Sequence, residues 1–66
     1  MITVTVNGVD HDVDADITVA GLLQRLDLPE QGVAVAVDGS VRPRSSWGDG
    51  VAPGARVEVL TAVQGG

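Results

Sequence analysis

Ile2-Thr3-Val4-Thr5-Val6-Asn7-Gly8-Val9-Asp10-His11-Asp12-Val13 reads as a complete β-hairpin. Residues 2–6 alternate apolar and polar with β-branching throughout, the pattern of a strand buried on one face. Asn7-Gly8 supplies the positive-φ positions of a type I′ turn, whose twist matches that of the strands it joins. Such a turn pairs Val6 with Val9, which predicts Val9, His11 and Val13 on one face and Asp10, Asp12 and Asp14 on the other. The carboxylates at positions 10, 12, 14 and 16 raise the question of a calcium loop. That loop needs Gly at its sixth position and Glu at its twelfth. Counted from Asp10 those positions hold Ala15 and Gly21; counted from Asp12 they hold Ile17 and Leu23. Neither register works, so the acidic face is read as a solvated strand surface that discourages edge pairing. His11 is read as a half-buried rim residue, because no second catalytic group stands beside it.

Downstream, Asp16-Ile17-Thr18 opens a helix expected over residues 19–26, with Thr18 as N-cap. Val19, Leu22, Leu23 and Leu26 fall at i, i+3, i+4 and i+7, one apolar stripe for the core. Gly21 costs up to about 1 kcal/mol against alanine inside a helix, which points to close packing or to tolerance. Pro29 marks a stop and Gly32 closes the loop. Val33-Ala34-Val35-Ala36-Val37 is a second strand, turned by Asp38-Gly39 into a short Ser40-Val41-Arg42 return that Pro43 ends by withdrawing a donor. Residues 44–54 read as a loop around Trp47, pinned to the core by Val51. Pro53-Gly54 turns into a last strand expected over residues 56–63. Its Val57, Val59, Thr61 and Val63 are expected inward, and Glu58, Leu60 and Ala62 outward. Hairpin, helix, short hairpin and final strand predict an α+β fold of the β-grasp type. This is a mixed four- to five-stranded sheet with one helix packed across one face, its first and last strands adjacent and parallel, the crossover right-handed. Residues 1–63 form that domain, and Gln64-Gly65-Gly66 is expected to be a flexible tail.

Composition narrows the function. Sixty-six residues make one domain, near the lower size at which a core holds unaided. With no cysteine there is no disulfide, thiolate zinc site or thiol nucleophile. Valine and alanine dominate, with one Trp and no Phe or Tyr. The net charge is −5, and the four basic residues are all arginine. That balance argues against nucleic acid and against anionic membranes, and favours a basic patch on a partner protein. No stretch approaches the roughly 18 apolar residues of a membrane span. The N-terminus lacks the basic start and apolar run of a signal peptide, so the cytoplasm is expected.

The chemistry points to the other end. Gly65-Gly66 follows the last strand without a linker. Two residues without Cβ atoms can pass through a tunnel too narrow for side chains. The group delivered would be the α-carboxylate of Gly66, a poor electrophile until ATP converts its oxygen into a leaving group as an acyl-adenylate. No nucleophile–base pair is apparent, which speaks against a self-contained enzyme. The reacting group is then expected to be the chain's own C-terminus, with no cofactor bound.

Several stretches carry a family resemblance along the whole chain. They are the first strand ending in Asn7, the Thr18-Val19…Leu22-Leu23…Leu26 helix, and the strand Val35-Ala36-Val37. Val41-Arg42-Pro43-Arg44-Ser45-Ser46-Trp47 and the terminal strand running into Gly65-Gly66 complete the set. On these features the chain resembles the small ubiquitin-like sulfur carriers, most closely the thiamine (thiazole) carriers of the ThiS family. The resemblance implies that an ATP-dependent, ubiquitin-activating-like (E1-like) adenylyltransferase adenylates Gly66 and releases pyrophosphate. Sulfur from a persulfide-bearing donor protein then gives a Gly66 thiocarboxylate, which thiazole synthase consumes. On this reading Gly66 bears the sulfur, Gly65 lets the arm extend, and Gln64 and Val63 guide it. Leu60 and Ala62 form the docking surface. Arg42 and Arg44 either contact a partner or solvate the rim, while Trp47 is favoured as a cap on the core. Core aromatics common in such carriers are absent here, and the acidic second strand is not a mark of the family. The alternatives are a molybdopterin- or cysteine-type sulfur carrier, or a β-grasp protein-interaction module with no C-terminal chemistry.

Overall fold

The computed structural model describes residues 1–61. Its elements are β1 (Ile2–Val6), β2 (Val9–Val13), helix α1 (Val19–Arg25), β3 (Val33–Val37), β4 (Ser40–Arg42), a 3₁₀ turn (Arg44–Ser46) and β5 (Arg56–Thr61). All five strands form one mixed sheet in the order β2-β1-β5-β3-β4. β1 and β5 run parallel at its centre, and the other pairs are antiparallel. This is the β-grasp arrangement.

Both hairpins form where the dipeptides predict. Asn7 and Gly8 take φ of 50° and 83°, and Asp38 and Gly39 take 51° and 84°. The first turn pairs Val6 with Val9, and the second pairs Val37 with Ser40. On the face opposite the helix, Thr3 and Thr5 donate to the carboxylates of Asp12 (2.8 Å) and Asp10 (2.7 Å) across the β1–β2 ladder. The acidic strand face is thus tied to a threonine row. Among the described residues no group of three acidic or histidine side chains could hold a metal ion. His11 lies opposite Val4 and is half-buried.

Every backbone donor in the first turn of α1 is accounted for, which matters because those groups have no partner inside the helix. The Val19 N–H reaches the Asp49 carbonyl (3.2 Å) and the Ala20 N–H the Trp47 carbonyl (3.0 Å). The Gly21 N–H reaches the Thr18 hydroxyl at 3.0 Å. The loop after β4 therefore completes the cap that Thr18 begins. A Cβ on Gly21 would lie 3.2 Å from that hydroxyl and 3.3 Å from the Ile17 side chain, so this glycine is set by close packing. At the other end α1 stops at Arg25, with Leu26 as its cap. Asp27 follows at φ 58° and donates to the Gln24 carbonyl, while Leu28 donates to that of Leu23. These two bonds make a Schellman closure. Asp substitutes for the usual glycine, and the helix has already ended before Pro29.

The core lies between α1 and one sheet face. Val4, Val6, Val13, Val35, Val37, Val57 and Val59 meet Val19, Leu22 and Leu23 there, closed by Trp47, Val51 and Ala55. Leu26 packs against it only partly buried. Trp47, 6% exposed, donates its indole N–H to the Arg42 carbonyl at 3.1 Å. Trp47 therefore caps the core, as expected, with its one polar atom satisfied.

Candidate partner-docking face

β5 alternates strictly. Val57 and Val59 point into the core, while Arg56, Glu58 and Leu60 point to the face that no helix covers. The register carries this alternation to the neighbours, since paired residues share a face. Ala34 lies opposite Leu60, and Ala36 lies between Glu58 and Val41. Leu60 is 65% exposed and Val41 74% exposed. An apolar half of the open face thus runs over β5, β3 and β4, built from Leu60, Ala34, Ala36 and Val41. The other half, over β1 and β2, carries the threonine–aspartate row. Four small or medium apolar side chains in one region of an uncovered sheet form the kind of surface a partner covers.

The candidate residues fall in three places. Leu60 lies on the open face, as the alternation predicted. Arg42 does not share that face: it pairs with Val35 across β4–β3, and Val35 points into the core. Half-buried at the β4 edge, Arg42 makes one long ion pair to Asp49 (3.9 Å). Arg44 stacks its guanidinium 5.1 Å from the centre of the Trp47 ring and donates to the Glu30 carbonyl. Both arginines are engaged within the domain, and neither is next to Leu60 in the register. Ala62, Val63, Gln64, Gly65 and Gly66 lie outside the described residues.

Sequence reasoning missed Ala34, Ala36 and Val41. The signal was present: Val33-Ala34-Val35-Ala36-Val37 is a strand with no polar residue on either face. An antiparallel strand with one solvated face normally alternates with polar residues. The open face also holds a shallow depression lined by Thr5, Asn7, Gly8, Arg56 and Glu58. It lies beside the β1–β2 turn and has no convergent set of buried polar groups. Among the described residues no helix is long and apolar enough to cross a membrane.

The arrangement has counterparts among known proteins. The family model for the ThiS family matches residues 4–66. A crystal structure of a thiamine biosynthesis protein (ThiS) from Geobacter metallireducens aligns with a TM-score of 0.82 and 32% identity, covering 98% of this chain and 100% of that one. An NMR solution structure of a thiamine biosynthesis protein from the same organism aligns with a TM-score of 0.76 at 32% identity, covering 98% and 88%. No curated protein matches the chain.

Proposed function

The chain belongs to the ThiS family, and from that premise we propose that it is a sulfur carrier whose reacting group is the α-carboxylate of Gly66. The observation that carries this reading is the extent of the family match, which runs through Gly65-Gly66 to residue 66. The alignment with a thiamine biosynthesis protein over that protein's whole length supports thiazole formation as the destination of the sulfur.

In this account the carboxylate attacks the α-phosphorus of ATP on an ubiquitin-activating-like enzyme, and pyrophosphate leaves. The terminal sulfur of a persulfide on the donor protein then attacks the acyl-adenylate and expels AMP. A second thiol cleaves the acyl disulfide so formed, releasing the thiocarboxylate and leaving the donor sulfur in a disulfide. The resulting thiocarboxylate is a soft nucleophile for thiazole synthase. The chain supplies no acid, base or metal to these steps; it supplies a docking surface and an arm. Leu60, with Ala62 two residues further along the chain, anchors the docking surface, and Ala34, Ala36 and Val41 extend it. Gly65, Gln64 and Val63 carry the reacting end into the partner. Arg42 at the β4 edge and Arg44 in the turn after it add partner contact away from Leu60, beside their contacts to Asp49, Glu30 and Trp47 within the domain. The negative charge of the chain suits partners with basic rims, which chiefly speeds their encounter.

The uncovered apolar face also favours a second reading, a β-grasp interaction module with no terminal chemistry. The two separate in one comparison. The carrier reading expects a chain lacking Gly65 and Gly66 to bind the activating enzyme but to form no thiazole in a reconstituted mixture with ATP, persulfide donor and thiazole synthase. Retention of both binding and thiazole formation by that truncated chain would favour the module and remove the carrier.

A further inference from the structure

The β1–β2 turn does more than reverse the chain. β1 and β5 pair in parallel through Thr5 with Arg56 and Val6 with Val57, and there β1 ends. The Asn7 backbone N–H still reaches the Val57 carbonyl at 2.9 Å. One step further the backbone has turned away at Gly8, yet the ladder continues through a side chain. The Asn7 Oδ1 accepts from the Val59 N–H (2.9 Å), and its Nδ2 donates to the Val59 carbonyl (3.2 Å). A single carboxamide thus stands in for the strand residue that β1 no longer supplies. A carboxamide carries an acceptor and a donor side by side, which an ionised carboxylate does not. Asn also tolerates the φ of 50° that the turn imposes. Among the described residues this is the last hold on β5 from the β1 side. On the other side β3 pairs as far as Thr61.

We propose that Asn7 is a positioning residue for the C-terminal arm. By gripping Val59 from the β1 side it fixes the end of β5, and with it the point from which the residues after Thr61 set out. Val59 immediately precedes the docking residue Leu60, so one grip keeps the arm's origin in register with the surface that meets the partner. This inference rests on the sulfur-carrier reading. Loss of the grip leaves Leu60, Ala34, Ala36 and Val41 in place but lets the end of β5 swing, so binding persists while delivery of the carboxylate suffers. Misplacement of a reacting group by about 1 Å can cost up to roughly a hundredfold in rate.

The test is ATP–pyrophosphate exchange by the activating enzyme with the full chain, read as kcat and KM, alongside amide hydrogen exchange. Asn7→Gly keeps a residue that accepts the turn's φ and removes the carboxamide. Its expected behaviour is a folded sheet, lost protection at the Val59 amide, a KM within about twofold and a kcat lower by about tenfold or more. Asn7→Asp keeps the turn and the acceptor but not the donor, and should fall between Asn7→Gly and wild type. A folded Asn7→Gly chain with wild-type kcat overturns the proposal, as does a raised KM at unchanged kcat, which would make Asn7 a docking residue. In the wild-type chain, a Val59 amide that exchanges as fast as an exposed one overturns it without any variant. If the wild-type chain supports no exchange at all, the carrier reading itself fails and this inference falls with it.

Discussion

On the helix side of the sheet β5 contributes Val57 and Val59; on the open side the same strand contributes Arg56, Glu58 and Leu60. The first set is enclosed by Leu22, Leu23 and Val35, with nothing polar buried among the described residues. The second faces solvent and divides again, into the threonine–aspartate row of β1 and β2 and the apolar half of β3, β4 and Leu60. A strand's two-residue period delivers two surfaces from one stretch of chain, and the surroundings give them different work. Where α1 covers the sheet, valines provide stability. Where no described element covers it, the apolar residues are placed to meet a partner, and the polar row keeps the remaining surface from doing the same.

The sharpest contrast is between a stability effect on one face and a binding effect on the other. Leu22→Ala on the covered side should cost about 2–5 kcal/mol of unfolding free energy, since it leaves a cavity in a close-packed core. In a domain this small that approaches the whole stability, so a thermal or urea midpoint should fall far or vanish. Leu60→Arg on the open side should leave the midpoint nearly unchanged. It should weaken binding to the activating enzyme by about 2 kcal/mol, roughly thirtyfold in Kd by titration calorimetry. Val41→Asp, at the outer margin of the apolar half, should act in the same direction by about 1 kcal/mol. Asp10→Asn combined with Asp12→Asn, in the polar row, should shift stability by no more than about 0.5 kcal/mol and leave Kd within about twofold. If the aspartate variants weakened binding more than Leu60→Arg, the division of the open face would have to be redrawn. Equal loss of stability from Leu60→Arg and Leu22→Ala would erase the contrast between the two faces.

Much of the fold was legible because its signals are local. Asn7-Gly8 and Asp38-Gly39 specify their turns within two residues, Thr18 reaches only to Gly21, and the valine alternation of β5 names its own inner face. What escaped was long-range. No local rule brings the carbonyls of Trp47 and Asp49 to the start of α1, or the carboxamide of Asn7 to Val59, 52 residues away. The αL position closing α1 is held by Asp27, where the usual marker is glycine, so the helix was expected one residue longer. The docking face was half legible. Leu60 stood out as apolar at an outward position, but Ala34, Ala36 and Val41 join it only once the β4-β3-β5 register is known. The same register sets Arg42 on the opposite face from Leu60, which spacing along the chain cannot reveal.

The most direct measurement is the intact mass of the chain after incubation with an activating enzyme, ATP and a persulfide donor, beside a chain lacking Gly66. The account predicts a gain equal to one oxygen exchanged for one sulfur, dependent on ATP and absent without Gly66. A wild-type mass that stays unchanged with an enzyme shown to bind the open face would contradict it.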